Sequence, residues 1–280
     1  MKADDVRYGV VMVHDFLLSE VFPYSRFDPE KVVHLVVFPW AGASALSCLR
    51  LCSVVGEAVG VLAVEMAGRG TRSDEPAVRT VEEVAAEVTS ALVDIMDTSA
   101  LVVMAGHSLG AALAYETASQ MSVAGLAPAG VILSGRAPYR VPSGSSKPWK
   151  CGGCLERPDD VYLMDFLRNT GSADEIASLN EYQRREVLDR LRSDLVMNMD
   201  YVPELRPVRF PMFCLTGRED VIATPEACQA WRNYTAGYFE LVTLAGGHFY
   251  FRNYGAEVFY STFNRIVHLI MDWCVKGVGL

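Results

Sequence analysis

The stretch VVMAGHSLGAALAYE (102–116) constrains this chain more than any other. An apolar run ends at Gly106, Ser108 stands two residues on, Gly110 two further, and an alanine-rich segment follows. The apolar run reads as a buried strand and the alanine-rich segment as a helix. Only a sharp turn fits between them. Such a turn strains the backbone of its central residue and crowds the Cβ, and glycines on both sides remove the clashes. The Ser108 hydroxyl is then raised at the edge of a sheet, where the helix N-terminus behind it favours developing negative charge. A Ser acting only as a helix N-cap accounts for the hydroxyl but not for both glycines.

Apolar runs of strand length recur along the chain at 32–38, 59–66, 130–135, 211–217 and 239–246. Helical patterns lie between several of them. TVEEVAAEVTSALVDIMD (80–97) carries Val81, Val84, Ala85, Val88, Leu92 and Ile95 at helical spacing, and Thr80 with Glu83 forms a capping-box start. Later helices are expected over 225–235 and 256–274. Strands alternating with helices imply an α/β fold, a mostly parallel sheet flanked by helices. Residues 137–210 break the alternation with a Pro/Ser/Gly/Lys loop followed by charged helical patterns. Helical insertions at this place act as lids over a site at the carboxyl edge of the sheet. The expected organisation is an N-terminal extension (1–31), whose VMVHDFLL is a candidate extra strand, and a domain over 32–280 with its lid at about 137–210.

A serine hydroxyl is a weak nucleophile until a base takes its proton. The chain has five histidines. His14 lies in the N-terminal extension, His34 inside an expected strand, and His268 within the last helix, on or near its buried face. His107 adjoins Ser108, but neighbours in a tight turn point apart. His248, in LAGGHFYF, follows a strand and precedes the last helix. That is the base's place in the α/β-hydrolase order of Ser, acid, His. The acid is sought between them, after the penultimate strand, where FCLTGREDVIATPEA offers Asp220. Glu219 is its adjacent rival, and Asp194 and Asp200 in the insertion are alternatives. Asp220 would fix the His248 tautomer and stabilise the imidazolium. The oxyanion needs backbone N–H donors. One is expected from Leu109 and one from Ala41, in the loop FPWAGAS (38–44) after the first strand of this domain.

The remaining composition narrows the class. The formal net charge is −9, which excludes the basic surface of a nucleic-acid protein. No apolar run reaches the roughly 20 residues of a membrane span. The acid-bearing N-terminus fits neither a secretory signal nor a mitochondrial presequence, so a cytoplasmic location is expected. Seven cysteines, spread through mostly apolar surroundings, read as reduced thiols. Cys151 and Cys154 in KCGGC lack a second ligand pair and read as part of a glycine-rich loop, so no metal and no cofactor are expected.

FPWAGAS, GHSLGAALAYE, LTGRED and LAGGHFYF resemble the type II thioesterases that accompany polyketide, nonribosomal-peptide and fatty-acid synthases. GRGTRSDEP (68–76) and ILSGRAP (132–138) fit the same resemblance, in order and spacing over roughly residues 32–254. Trp40 and Ala43 depart from that family's pattern, and the loop at 143–154 is longer than usual. The resemblance implies a Ser108–His248–Asp220 triad that hydrolyses acyl thioesters on carrier-protein phosphopantetheine or on CoA, in a monomer. Arg136, Arg140, Lys147 and Lys150, in a stretch free of acids, are a candidate docking patch for an acidic carrier protein. A carboxylesterase or lipase of the same fold, or an inactive hydrolase-fold binding module, are the rival readings.

Overall fold

A computed structural model describes residues 19–126, 128–138, 158–252 and 256–276. Its centre is a seven-stranded sheet in the order β1-β3-β2-β4-β5-β6-β7. The strands are β1 (Tyr24–Arg26), β2 (Val33–Phe38), β3 (Gly60–Ala63), β4 (Leu101–His107), β5 (Pro128–Ser134), β6 (Met212–Gly217) and β7 (Phe239–Leu244). β1 is antiparallel to β3, and all the other pairs are parallel. VMVHDFLL lies outside the described residues; the edge strand β1 sits further along the same N-terminal segment.

β2, β4, β5 and β6 are buried along nearly their whole length. The cause is helix cover on both faces, which parallel β-α-β connections require. One face carries α2 (Val81–Ile95) and α3 (Leu109–Val123), packed over Leu62, Met104 and Leu133. The other carries α1 (Ala45–Ser53) and α8 (Ala256–Lys276), packed over Leu35, Val103 and Ile132. The capping box at the start of α2 forms as the spacing predicts: Thr80 accepts from the Glu83 N–H, and the Glu83 carboxylate accepts from the Thr80 N–H.

The expected helix over 225–235 is instead one α-turn, α7 (Pro225–Cys228), followed by a 3₁₀ turn, Gln229–Tyr234. Trp231 and Tyr234 are buried there beside Tyr115, which draws the segment onto α3. The insertion after β5 contributes α4 (Asp160–Thr170), α5 (Ala173–Ala177) and α6 (Glu181–Asp200). Asn180 and Gln183 cap α6, and Gly171 ends α4 with a φ of 74°. These helices build a small core of their own from Leu163, Phe166, Leu167, Leu191 and Leu195. Ala41 from the loop after β2 and Ile222 from the loop after β6 pack against that core, so the insertion rests on the carboxyl edge of the sheet.

Beyond β3 the chain returns to the other side of β2, which places the ends of β2 and β4 side by side, with Phe38 opposite Gly106. A parallel sheet opens a crevice where its strand order reverses in this way.

Candidate active site

Ser108 lies in that crevice, between β4 and α3. It has φ 53° and ψ −115°, the one positive φ outside glycine among the described residues. Backbone strain of this kind persists only where the surroundings over-determine it. Here they do. The Ser108 N–H donates to the Ser134 carbonyl at 2.8 Å, and its own carbonyl accepts from Ala111 at 3.1 Å. A Cβ on Gly106 would overlap the Gly110 carbonyl, and one on Gly110 would overlap the Phe38 carbonyl. The two glycines therefore let the first turn of α3 close onto the ends of β4 and β2. Ser108 is 7% exposed.

Asp220 and His248 come from the loops after β6 and β7, which are neighbouring strands. His248 Nδ1–H donates to Asp220 Oδ2 at 2.8 Å, and both side chains are buried. Asp220 Oδ1 accepts the N–H groups of Ile222 and Ala223 at 2.8 and 2.9 Å. Burial alone would raise the Asp220 pKa; the bonds from His248 and the two N–H groups outweigh it and hold the carboxyl below its ordinary value. Asp220 is thus an anion that fixes the ring and its tautomer, leaving Nε2 as the lone-pair nitrogen. Nε2 is buried and has no hydrogen-bond partner among the described residues.

The rival residues occupy other positions. Glu219 bonds the N–H of Gly246 and shapes the turn before His248. Asp200 is exposed at the end of α6. Asp194, on α6, faces Arg69 and the N–H of Gly42. His268 is exposed on α8, against the expectation of a buried face, because its helix turns Ile266, Val267 and Ile270 inward instead. His34 is buried in β2 with Nε2 against the Asp28 carbonyl at 3.1 Å. His107 points away from Ser108: its Nδ1 meets Ser134 Oγ at 2.8 Å, and Ser134 Oγ meets the Tyr250 hydroxyl at 2.5 Å. Burial above all, with the charge of Arg252 adding to it, pushes the His107 pKa well below its usual value, so the ring is neutral. The sequence signal for this chain of bonds was no more than the adjacency of His107 to Ser108.

The loop after β2 turns tightly, with the Ala43 N–H donating to the Trp40 carbonyl at 2.9 Å and Gly42 at φ 79°. Among the described residues neither the Ala41 N–H nor the Leu109 N–H is bonded to an acceptor. Trp40 enters an aromatic cluster with Phe249 and Phe251, at centroid distances of 5.9 and 5.5 Å, and Arg252 lies over its ring. A cavity of about 890 Å³ opens beside this cluster, with His107, His248, Trp40 and Phe263 in its walls and the end of α4 at its rim.

Arg136 is 4% exposed, bonded to Asn198 on α6 and stacked over Tyr201. It is an internal tie between β5 and the insertion and offers no charge to a surface patch, a correction to the expectation. Arg140, Lys147, Lys150, Cys151 and Cys154 lie outside the described residues.

A family model described as "Thioesterase domain" matches residues 33–267. The chain belongs to the thioesterase family. Its sheet, flanked on both faces, is that of the α/β-hydrolase fold. It is 32% identical over 234 residues to "Thioesterase PikA5" of Streptomyces venezuelae, covering 82% of this chain and 79% of the relative. It is also 32% identical over 228 residues to a "Probable cadicidin biosynthesis thioesterase" of Streptomyces griseus. That match covers 80% of this chain but 60% of the relative, so the chain spans less than two thirds of that protein. Among solved structures it resembles the "type II thioesterase BorB from the borrelidin biosynthetic cluster", with TM-score 0.68 and 27% identity over 86% of this chain and 94% of that one. Among the described residues no helix is long and apolar enough to cross a membrane.

Proposed function

We propose that this chain hydrolyses acyl thioesters through an acyl-enzyme on Ser108, acting on carrier-protein phosphopantetheine or on CoA. One observation carries the reading: a serine held at positive φ stands at the same sheet edge as a buried His248–Asp220 pair. Family membership and the thioesterase relatives support it. The likeness to BorB, a type II thioesterase, supports the type II assignment, an editing or chain-releasing enzyme acting beside a synthase.

In this reading His248 Nε2 removes the Ser108 proton as Oγ attacks the thioester carbonyl. Nε2–H gives that proton to the departing thiolate as the C–S bond breaks, and the neutral nitrogen then takes a proton from the water that attacks the acyl-enzyme, returning it to Ser108 Oγ as the acid leaves. Asp220 holds the ring and stabilises the imidazolium formed in each step. The N–H groups of Ala41 and Leu109 receive the oxyanion, and the latter also lies at the N-terminus of α3. Residues 137–210 serve as the lid of a single catalytic domain. Arg140, Lys147 and Lys150 are what remains of the docking patch for an acidic carrier protein. The enzyme works as a cytoplasmic monomer.

Intact-mass spectrometry of wild type and Ser108→Ala, after brief exposure to acyl-CoA and to a fluorophosphonate, tests the nucleophile. A mass increment on wild type alone, with CoA released, supports the reading. Faster turnover of nitrophenyl esters than of acyl thioesters would favour a carboxylesterase. No adduct with any acyl donor or with the fluorophosphonate would leave a binding module.

A further inference from the structure

The insertion helix α6 is tied to the loop after β2 by a buried carboxylate that the proposed chemistry does not use. Asp194 accepts the Gly42 N–H at 2.7 Å through Oδ2. Arg69 grips the same carboxylate with both ends of its guanidinium: Nη1 donates to Oδ2 at 2.7 Å and Nη2 to Oδ1 at 2.6 Å. Nη1 also donates to the Ala43 carbonyl at 2.9 Å. Arg69 and Asp194 are 4% and 1% exposed. Leu191, one turn before Asp194, covers Gly42, with Cδ1 3.6 Å from where a Cβ there would stand.

Peptide planarity turns these bonds into an orientation. The Trp40 carbonyl and the Ala41 N–H belong to one planar trans peptide and point in opposite directions. The Ala43 N–H holds that carbonyl toward the interior of the turn, so the Ala41 N–H is aimed outward. The next peptide is held at the Gly42 N–H by Asp194. The one after Ala43 is held at its carbonyl by Arg69. Two of the three ties come from groups outside the loop: Asp194 on α6 makes one directly, and Arg69, itself gripped by Asp194, makes the other. A buried ion pair adds little stability over a well-packed apolar pair, whereas its bonds fix geometry closely.

We infer that Asp194 is a positioning residue: through Gly42 and Arg69, helix α6 sets the oxyanion loop, so that the site is complete only while α6 is seated. The inference rests on the proposed hydrolase reading for its effect on turnover, but not for the tie itself.

The test pairs Asp194→Asn with the double variant Arg69→Met/Asp194→Leu, which replaces the ion pair by apolar side chains of similar size. Three quantities are read: steady-state hydrolysis of an acyl-CoA, affinity for an alkylboronic acid, and amide hydrogen exchange of residues 40–46 without substrate. The boronate forms a tetrahedral adduct on Ser108 that calls on the oxyanion donors. For the double variant the expectation is a thermal midpoint near that of wild type, KM within about threefold, and kcat down roughly 100-fold, the size of one lost oxyanion donor. Boronate affinity should fall in parallel and the loop amides should exchange faster. Asp194→Asn keeps an acceptor for Gly42 and should recover about tenfold of the lost kcat. Wild-type kcat, boronate affinity or loop exchange in the double variant overturns the inference. If the double variant does not fold, Asp194→Asn decides alone: it must lower kcat and boronate affinity together at unchanged KM, and any other pattern overturns the inference. A wild type inert to every acyl thioester sinks the hydrolase reading instead, and loop exchange still reports on the tie.

Discussion

Two aspartates, Asp220 and Asp194, stand buried at the rim of the same crevice and are held in opposite ways. Asp220 is bonded by N–H groups two and three residues further along its own turn and by His248 on the loop of the adjacent strand. Asp194 is bonded by Arg69, 125 residues away, and by Gly42, 152 residues away. The first draws all its bonds from loops at the edge of the sheet, although Ile222, one of its donors, also packs against the insertion. The second exists as a bonded anion only when α6 is seated on the sheet. The His248–Asp220 pair thus sits on the scaffold, and the loop after β2, the proposed oxyanion loop, is shared between the scaffold and an inserted element.

Removing the proposed nucleophile sets the scale against which both aspartates are judged. Ser108→Ala should lower kcat by roughly 10⁶-fold and leave the thermal midpoint unchanged or raised, since it adds no new contact; steady-state rates and calorimetry check this. Asp220→Asn should follow, with a kcat loss of about 10⁴-fold from the wrong tautomer and little loss of KM. If its effect is no larger than that of Asp194→Asn, the contrast between the two residues is broken. Arg69→Met alone leaves Asp194 buried with only the Gly42 N–H, and should destabilise the fold by about 3–5 kcal/mol in urea unfolding. An apolar partner at 194 should restore most of that loss, which separates stability from loop geometry. Gly110→Ala forces a Cβ against the Phe38 carbonyl and should destabilise by about 1–3 kcal/mol, with reduced fluorophosphonate labelling of Ser108.

The smallest effect concerns pH. Glu65 is fully buried beside this network, with Oε1 accepting the Ala45 N–H at 3.2 Å. Burial raises its pKa, which the bond from Ala45 and the Arg69 charge reduce without cancelling. A carboxyl with a raised pKa in the folded state binds its proton more tightly there than in the unfolded chain. The stability it contributes is full below the ordinary carboxylate range and is lost as pH rises through the raised value. Glu65→Gln should therefore gain thermal stability relative to wild type as pH increases from 4 to 8, read as a widening difference in thermal midpoint. A difference independent of pH would mean that Glu65 keeps its ordinary pKa.

Much of this arrangement is legible residue by residue. Gly106 and Gly110 mark the turn at Ser108 because the clash they avoid lies within four residues of chain. The order Ser108, Asp220, His248 is legible because each stands directly after an apolar run that can only be a buried strand. Thr80 and Glu83 announce α2 because a capping box is closed within one turn. The segment 225–235 is misread as a helix because Trp231 and Tyr234 are drawn onto Tyr115, a pull that no local pattern contains. His268 is placed on the wrong face because helical spacing fixes a stripe only once its neighbours have been chosen. Arg136 reads as a surface charge because it stands in a basic, polar stretch, yet Asn198 and Tyr201 from the far end of the insertion take it inside.

The sequence by itself determined the parallel sheet, the strained serine and the order of the residues around it, since periodicity, peptide sterics and turn chemistry act over a few residues. That Asp194 meets Arg69 and Gly42, and that an inserted helix shapes the loop after β2, were decided only by the tertiary structure. Charges separated by more than a hundred residues bond only where packing excludes water and brings them within 3 Å, and that burial is a property of the whole assembled core.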